Sequence, residues 1–170
     1  MLIDAIRKRK SVRKYLDKEI PQEIINTVME AARLAPSTKN SQPWKFIIVK
    51  DNTLKKELVE ACGNQKFIQE APLVIVGCAI NTFYTVSGDC PSYPIDLSIA
   101  LAHINLQAVE LGLGACWIGL FNQEKIKNIL KIEKDAVVVC LMTLGYSREE
   151  ETIVKGRKPL SDIICYDYFK

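Results

Sequence analysis

Arg9-Lys10-Ser11-Val12-Arg13 places three cations and a hydroxyl within five residues. A phosphate carries nearly two negative charges, and guanidinium forks grip it bidentately. Lys155-Gly156-Arg157-Lys158 offers a second short basic cluster near the other end. Taken singly, either cluster also reads as a solvated charged face. A second kind of stretch is Pro36-Ser37-Thr38-Lys39-Asn40-Ser41-Gln42-Pro43, small, polar and rich in hydrogen-bonding groups. Its two prolines stiffen it, which lowers the entropy lost in presenting donors to a ligand. A plain turn fits the same composition. A third is Gly112-Leu113-Gly114-Ala115-Cys116-Trp117-Ile118-Gly119. Glycines let a backbone approach a flat ligand closely and expose its N–H groups. The stretch lacks the spacing of a dinucleotide or Walker-type phosphate loop, so alone it reads as a helix stop and a tight connection.

The elements around these stretches follow from periodicity. Leu2 to Arg9 forms a short helix with Leu2, Ile3 and Ile6 on one face. Pro21 opens a stronger helix to about Leu34, with Ile24, Ile25, Val28, Ala31 and Ala32 as its buried stripe. It ends at Ala35-Pro36, because the residue before proline is pushed out of the α region. The polar loop then feeds Trp44 to Val49, a strand by its β-branched and aromatic content. Leu54 to Cys62 is expected to be helical, and Leu73 to Ile80 is a strand covered on both faces. Thr82 to Pro94 is a surface loop, and Pro94 to Leu111 the longest helix. Apolar residues surround most of that helix, which places it centrally or at a subunit interface. Asn122 caps a further helix to about Leu130, and Ala136 to Leu144 is a third clear strand. No glycine-rich loop follows the first strand, which itself comes after two helices. The layout is therefore α+β, with helices around a central sheet, rather than doubly wound.

The chain has 170 residues, enough for one domain spanning 1–170. Apolar residues make up 48% and charged residues 25%, a globular balance. A net charge of +3 is too small to predict nucleic-acid binding, and no stretch of about 18 apolar residues suggests a membrane span. The N-terminus lacks an apolar signal core, so a cytoplasmic location is expected. Six cysteines are spaced widely and irregularly with a single histidine, His103, which argues against metal. Cys78 and Cys140 sit in apolar strand-like runs and read as buried thiols, and His103 as a core or interface residue.

Taken in order, the segment Arg9 to Arg13, the run from Ala35 to Phe46, the glycine-rich run from Gly112 to Gly119, Leu144-Gly145-Tyr146 and Lys155-Gly156-Arg157 resemble the successive signatures of the nitroreductase family. The Pro-Ser-x-x-Asn-x-Gln-Pro-Trp loop is the most specific of these. The resemblance covers nearly the whole chain and implies a central, mostly antiparallel sheet surrounded by helices in an interlocked homodimer. It implies FMN as cofactor, with two sites at the subunit interface.

By that resemblance Arg9, Lys10, Ser11 and Arg13 would hold the FMN phosphate and ribityl chain, with Arg13 also reaching the pyrimidine edge. Lys155 and Arg157 would complete the phosphate grip. Pro36, Ser37, Thr38 and Asn40 would come from the partner subunit and line the ring. Trp117, Ile118 and Gly119 would lie along it, with a backbone N–H near flavin N5, and Asn64 is a further carry-over. The implied activity is ping-pong electron transfer from NAD(P)H through flavin N5 to a nitroaromatic, quinone or free flavin. No side chain is assigned as a general acid or base. A flavin-binding carrier or sensor without turnover is the alternative. The chain is short for the family, with little sequence for the helical insertion that covers the active site in longer members.

Overall fold

The computed structural model describes residues 1–149 and 156–169. Its elements run α1 (Asp4–Lys8), α2 (Gln22–Arg33), β1 (Trp44–Val49), α3 (Asn52–Ala61), α4 (Phe67–Glu70), β2 (Leu73–Ala79), β3 (Thr85–Val86), β4 (Cys90–Pro91), α5 (Tyr93–Glu110), β5 (Gly114–Ile118), α6 (Gln123–Leu130) and β6 (Val137–Gly145). Strands β1, β2, β6 and β5 form one antiparallel sheet in the order β1-β2-β6-β5, and β3 pairs with β4 in a small separate hairpin.

The sheet is the middle of three layers because its side chains alternate between two apolar cores. Leu73, Ile75, Met142 and Leu144 face Ile25, Val28 and Ala32 of α2 and Ala100, Leu101 and Ile104 of α5. Val74, Val76 and Leu141 face the opposite way, against Leu58 of α3 and Ile126 of α6. All seven residues of β2 are buried, as its unbroken apolar run predicts. Each such aliphatic side chain contributes about 1.5–3 kcal/mol of burial free energy.

Local chemistry sets the element ends. The Asp51 carboxylate accepts from the Leu54 N–H at 2.8 Å, which starts α3 two residues ahead of the apolar pattern. Asn122 caps α6 in the same way, accepting from the Lys125 N–H at 3.0 Å. Pro21 stands just outside α2 rather than in its first turn. At the end of α5 Gly112 takes φ +74°, and the Leu113 N–H reaches back to the Ala108 carbonyl at 2.8 Å. The Gly112–Gly119 stretch is then more than a connection: Gly114–Ile118 is the edge strand β5.

Helix α5 presents two apolar faces. Leu97, Ala100, Leu101, Ile104 and Ala108 are buried on the sheet. Ile95, Ile99, Ala102, Leu106 and Val109 recur on the opposite side, and each of them is half-buried or exposed. His103 lies between the two faces, with Nδ1 3.2 Å from the Ala31 carbonyl of α2. Cys78 and Cys140 are buried, and burial pushes the Cys78 thiol up to about 11. Among the described residues no helix is long and apolar enough to cross a membrane.

Candidate functional site

Beyond α1 the chain straightens, and the basic segment runs along the open edge of β5. Ser11 pairs with Ala115 in a parallel bridge, and the Val12 N–H donates to the Ala115 carbonyl at 3.0 Å. The Val12 side chain is buried directly over Gly114, where a Cβ would collide with it. From below, the Tyr15 hydroxyl donates to the Val12 carbonyl at 2.6 Å. Thr143 Oγ1 lies 2.7 Å from the same hydroxyl and 3.4 Å from the Cys116 carbonyl, which ties Tyr15 to β6 and β5. Burial raises the Tyr15 pKa and keeps that donor protonated. Sequence patterns did not single out Tyr15, whose spacing from Arg13 carries no signal of its partners in β6.

With Val12 pinned inward, its neighbours turn outward. Ser11 and Arg13 are exposed, and Arg9 and Lys10 half-buried. The Arg13 guanidinium stands 5.8 Å from the centre of the Phe67 ring. Lys10 Nζ lies 3.6 Å from Glu149 Oε2, and the Arg13 N–H donates to Glu149 Oε1 at 3.5 Å. A cavity of about 520 Å³ opens beside Lys10, Val12, Glu110, Gly112, Ser147 and Glu149. Arg157 is exposed, and Lys155 lies outside the described residues.

Past the bridge to Ser11, β5 runs on to Trp117 and Ile118. Trp117 is 39% exposed and Gly119 is exposed, while Ile118 between them is 1% exposed and belongs to the core. Gln65 Nε2 donates to the Leu120 carbonyl at 3.5 Å, which draws the Cys62–Lys66 turn over this end. Asn64 is exposed in that turn at φ +60°. Burial raises the Cys116 thiol pKa, with Arg13 and the Ser11 hydroxyl opposing, so it stays a neutral thiol.

The polar loop lies elsewhere. Ser37 and Thr38 are half-buried, Pro36 and Asn40 exposed. The loop is tied to the start of α5: the Thr38 N–H and Oγ1 donate to Asp96 Oδ1 at 2.9 and 3.2 Å. The basic segment sits past the opposite end, beside Glu110 and Gly112. Fourteen residues of helix separate Asp96 from Glu110, about 21 Å at the rise of an α-helix. One copy of the chain therefore brings Arg9, Lys10, Ser11, Arg13, Trp117, Gly119 and Asn64 to one region. It carries Pro36, Ser37, Thr38 and Asn40 to another. Asp96 was not legible as a functional residue, although it is the single acid in the apolar run from Ile95 to Ile104.

An antiparallel sheet between helical layers, with a basic segment on its edge and a polar loop remote from it, defines an α+β protein. Comparison with known proteins gives the family. The nitroreductase family model matches residues 6–79 and 60–146. A Methanothermobacter thermautotrophicus relative, provisionally named an NADH dehydrogenase/NAD(P)H nitroreductase, is 32% identical over 87% of this chain and 78% of its own length. A Bacillus subtilis NAD(P)H FMN reductase is 27% identical, covering 85% of this chain and 65% of that one. The solved FMN-dependent nitroreductase of Clostridium difficile superposes with a TM-score of 0.88 at 32% identity, over 99% of this chain and 100% of the other. The chain belongs to the nitroreductase family.

Proposed function

We propose that two copies of the chain form a homodimer with two FMN sites at their interface. The dimer moves electrons from NAD(P)H to a small acceptor: a nitroaromatic, a quinone or free flavin. The observation that carries this is the span of about 21 Å along α5 between the basic segment and the polar loop of one copy. A ligand that uses both must take them from two copies. Two further features support pairing. The outward face of α5 is apolar along its length, and Leu160, Ile163, Tyr166, Tyr168 and Phe169 of the C-terminal segment are all more than 60% exposed.

FMN stands in the names of both relatives: the Bacillus protein is an FMN reductase and the Clostridium protein an FMN-dependent nitroreductase. The donor set here fits it. Three cations and a hydroxyl suit a phosphomonoester, and an exposed indole beside a glycine main chain suits a flat ring. Arg9, Lys10, Ser11 and Arg157 would hold the phosphate and ribityl chain together with Lys155. Trp117, Gly119, the Ile118 main chain and Asn64 would border the ring. Pro36, Ser37, Thr38 and Asn40 of the partner subunit would close the other side.

Bound there, FMN supplies a two-electron carrier that a nicotinamide reduces and an acceptor reoxidises. Arg13 would set a fixed positive charge beside the bound ring, which would favour its reduction electrostatically. Donor and acceptor would use the same site in turn, giving ping-pong kinetics. Protons come from solvent, and the chain's residues bind, orient and exclude.

The test is an absorbance spectrum of the protein with FMN, before and after anaerobic NADH and NADPH. A bound flavin spectrum that bleaches, then recovers with quinone or nitroaromatic, is the expected result. Bound flavin that stays oxidised with both donors points to a carrier or sensor. Absence of flavin binding overturns the assignment.

A further inference from the structure

Asp96 is 2% exposed, at the start of the helix that forms the centre of one core. Burying a carboxylate costs several kcal/mol unless it is well paired. Here both bonds go from Thr38 to one oxygen, and neither donor is a cation. The other oxygen, Oδ2, is buried with no hydrogen-bond partner among the described residues. The helix start offers some compensation through its dipole, but a shape-matched apolar residue would suit the core better. Stability alone therefore does not account for a carboxylate at this position.

The loop it holds does. Lys39, Asn40 and Gln42 sit at φ +51°, +53° and +46°. Asparagine tolerates this region, but lysine and glutamine at positive φ cost about 1–3 kcal/mol each and persist only where surroundings impose them. Inside the loop Ser37 Oγ accepts from the Gln42 N–H at 2.9 Å, and Asn40 and Ser41 bond back to Ser37 and Thr38. Those bonds shape the loop without fixing it to the fold. The Asp96–Thr38 pair ties it to α5.

Resting on the composite FMN site proposed above, we infer that Asp96 is a positioning residue: it locks the Pro36–Gln42 loop in the strained form that engages the cofactor bound to the partner subunit. Binding then avoids the entropy of ordering a free loop.

The experiment titrates FMN into dimeric wild type, Asp96→Ala and Asp96→Asn, following flavin fluorescence, with apoprotein melting and sedimentation alongside. Asp96→Ala is expected to raise the FMN dissociation constant about tenfold, and Asp96→Asn, which keeps an acceptor oxygen, about threefold. If Asp96→Ala does not fold, the rise for Asp96→Asn decides by itself. A lower melting temperature with an unchanged dissociation constant overturns the inference and leaves the FMN site standing. Wild type that fails to bind FMN overturns both, since the loop then has no cofactor to engage.

Discussion

Glu149 brings a negative charge to the segment that the family resemblance assigns to a phosphate. Its two oxygens lie 3.6 Å from Lys10 Nζ and 3.5 Å from the Arg13 amide nitrogen. The pair is part-exposed, so as a salt bridge it adds little stability. Toward an incoming phosphate it acts as a competitor for the same donors and as a like charge. Glu149→Gln is therefore expected to tighten FMN binding about threefold at low ionic strength, with the gain fading as salt rises. Riboflavin, which has the ring and ribityl chain but no phosphate, separates this effect from a general one. Equal gains for FMN and riboflavin would show that Glu149 does not face the phosphate. The cations and hydroxyl of this segment were legible as residue types. The acid that faces them was not, because 136 residues of sequence separate Glu149 from Arg13 and only the fold closes that gap.

The element on which the site depends is β5, and sequence periodicity did not reveal it. Five residues bounded by glycines carry too little alternation to read as a strand. Pairing with β6 from Gly114↔Gly145 to Ile118↔Leu141, plus the bridge to Ser11, makes it one. Strands β1, β2 and β6 were legible from their β-branched runs, α2 and α6 because periodicity and a start signal agree, and α5 from the length of its apolar run between Pro94 and Gly112. Helix α4 and the β3–β4 hairpin were not, since elements of four and two residues have no period to detect. The join of basic segment to β5 has a direct test at Gly114. A methyl group there meets Val12, so Gly114→Ala is expected to destabilise the apoprotein by about 1–3 kcal/mol in urea unfolding. It is also expected to weaken FMN binding by displacing Ser11 and Arg13. Val12→Ala in the same chain opens room for the methyl and should restore most of both. A Gly114→Ala protein with wild-type stability would mean that Val12 moves aside freely and that the segment is not held by this contact.

At the scale of the molecule the question is which copy supplies the loop. Within one chain α5 keeps the basic segment and the polar loop apart, and its outward stripe of Ile95, Ile99, Ala102, Leu106 and Val109 is the surface on which the proposed dimer would pair. A two-fold pairing of that surface gives each site one basic segment and the other copy's loop. Mixed dimers distinguish this from a site built within one copy. Let one copy carry Arg13→Gln and the other Thr38→Ala with Asn40→Ala, the two purified together through different tags. If the loop acts across the interface, one site of the mixed dimer holds every defect and the other none. Half of the wild-type FMN then binds with wild-type affinity. If each copy builds its own site, both sites are damaged and no tight binding remains. The homodimers of each variant, weak in either case, fix the baseline, so the stoichiometry of the tight phase alone decides between the two arrangements.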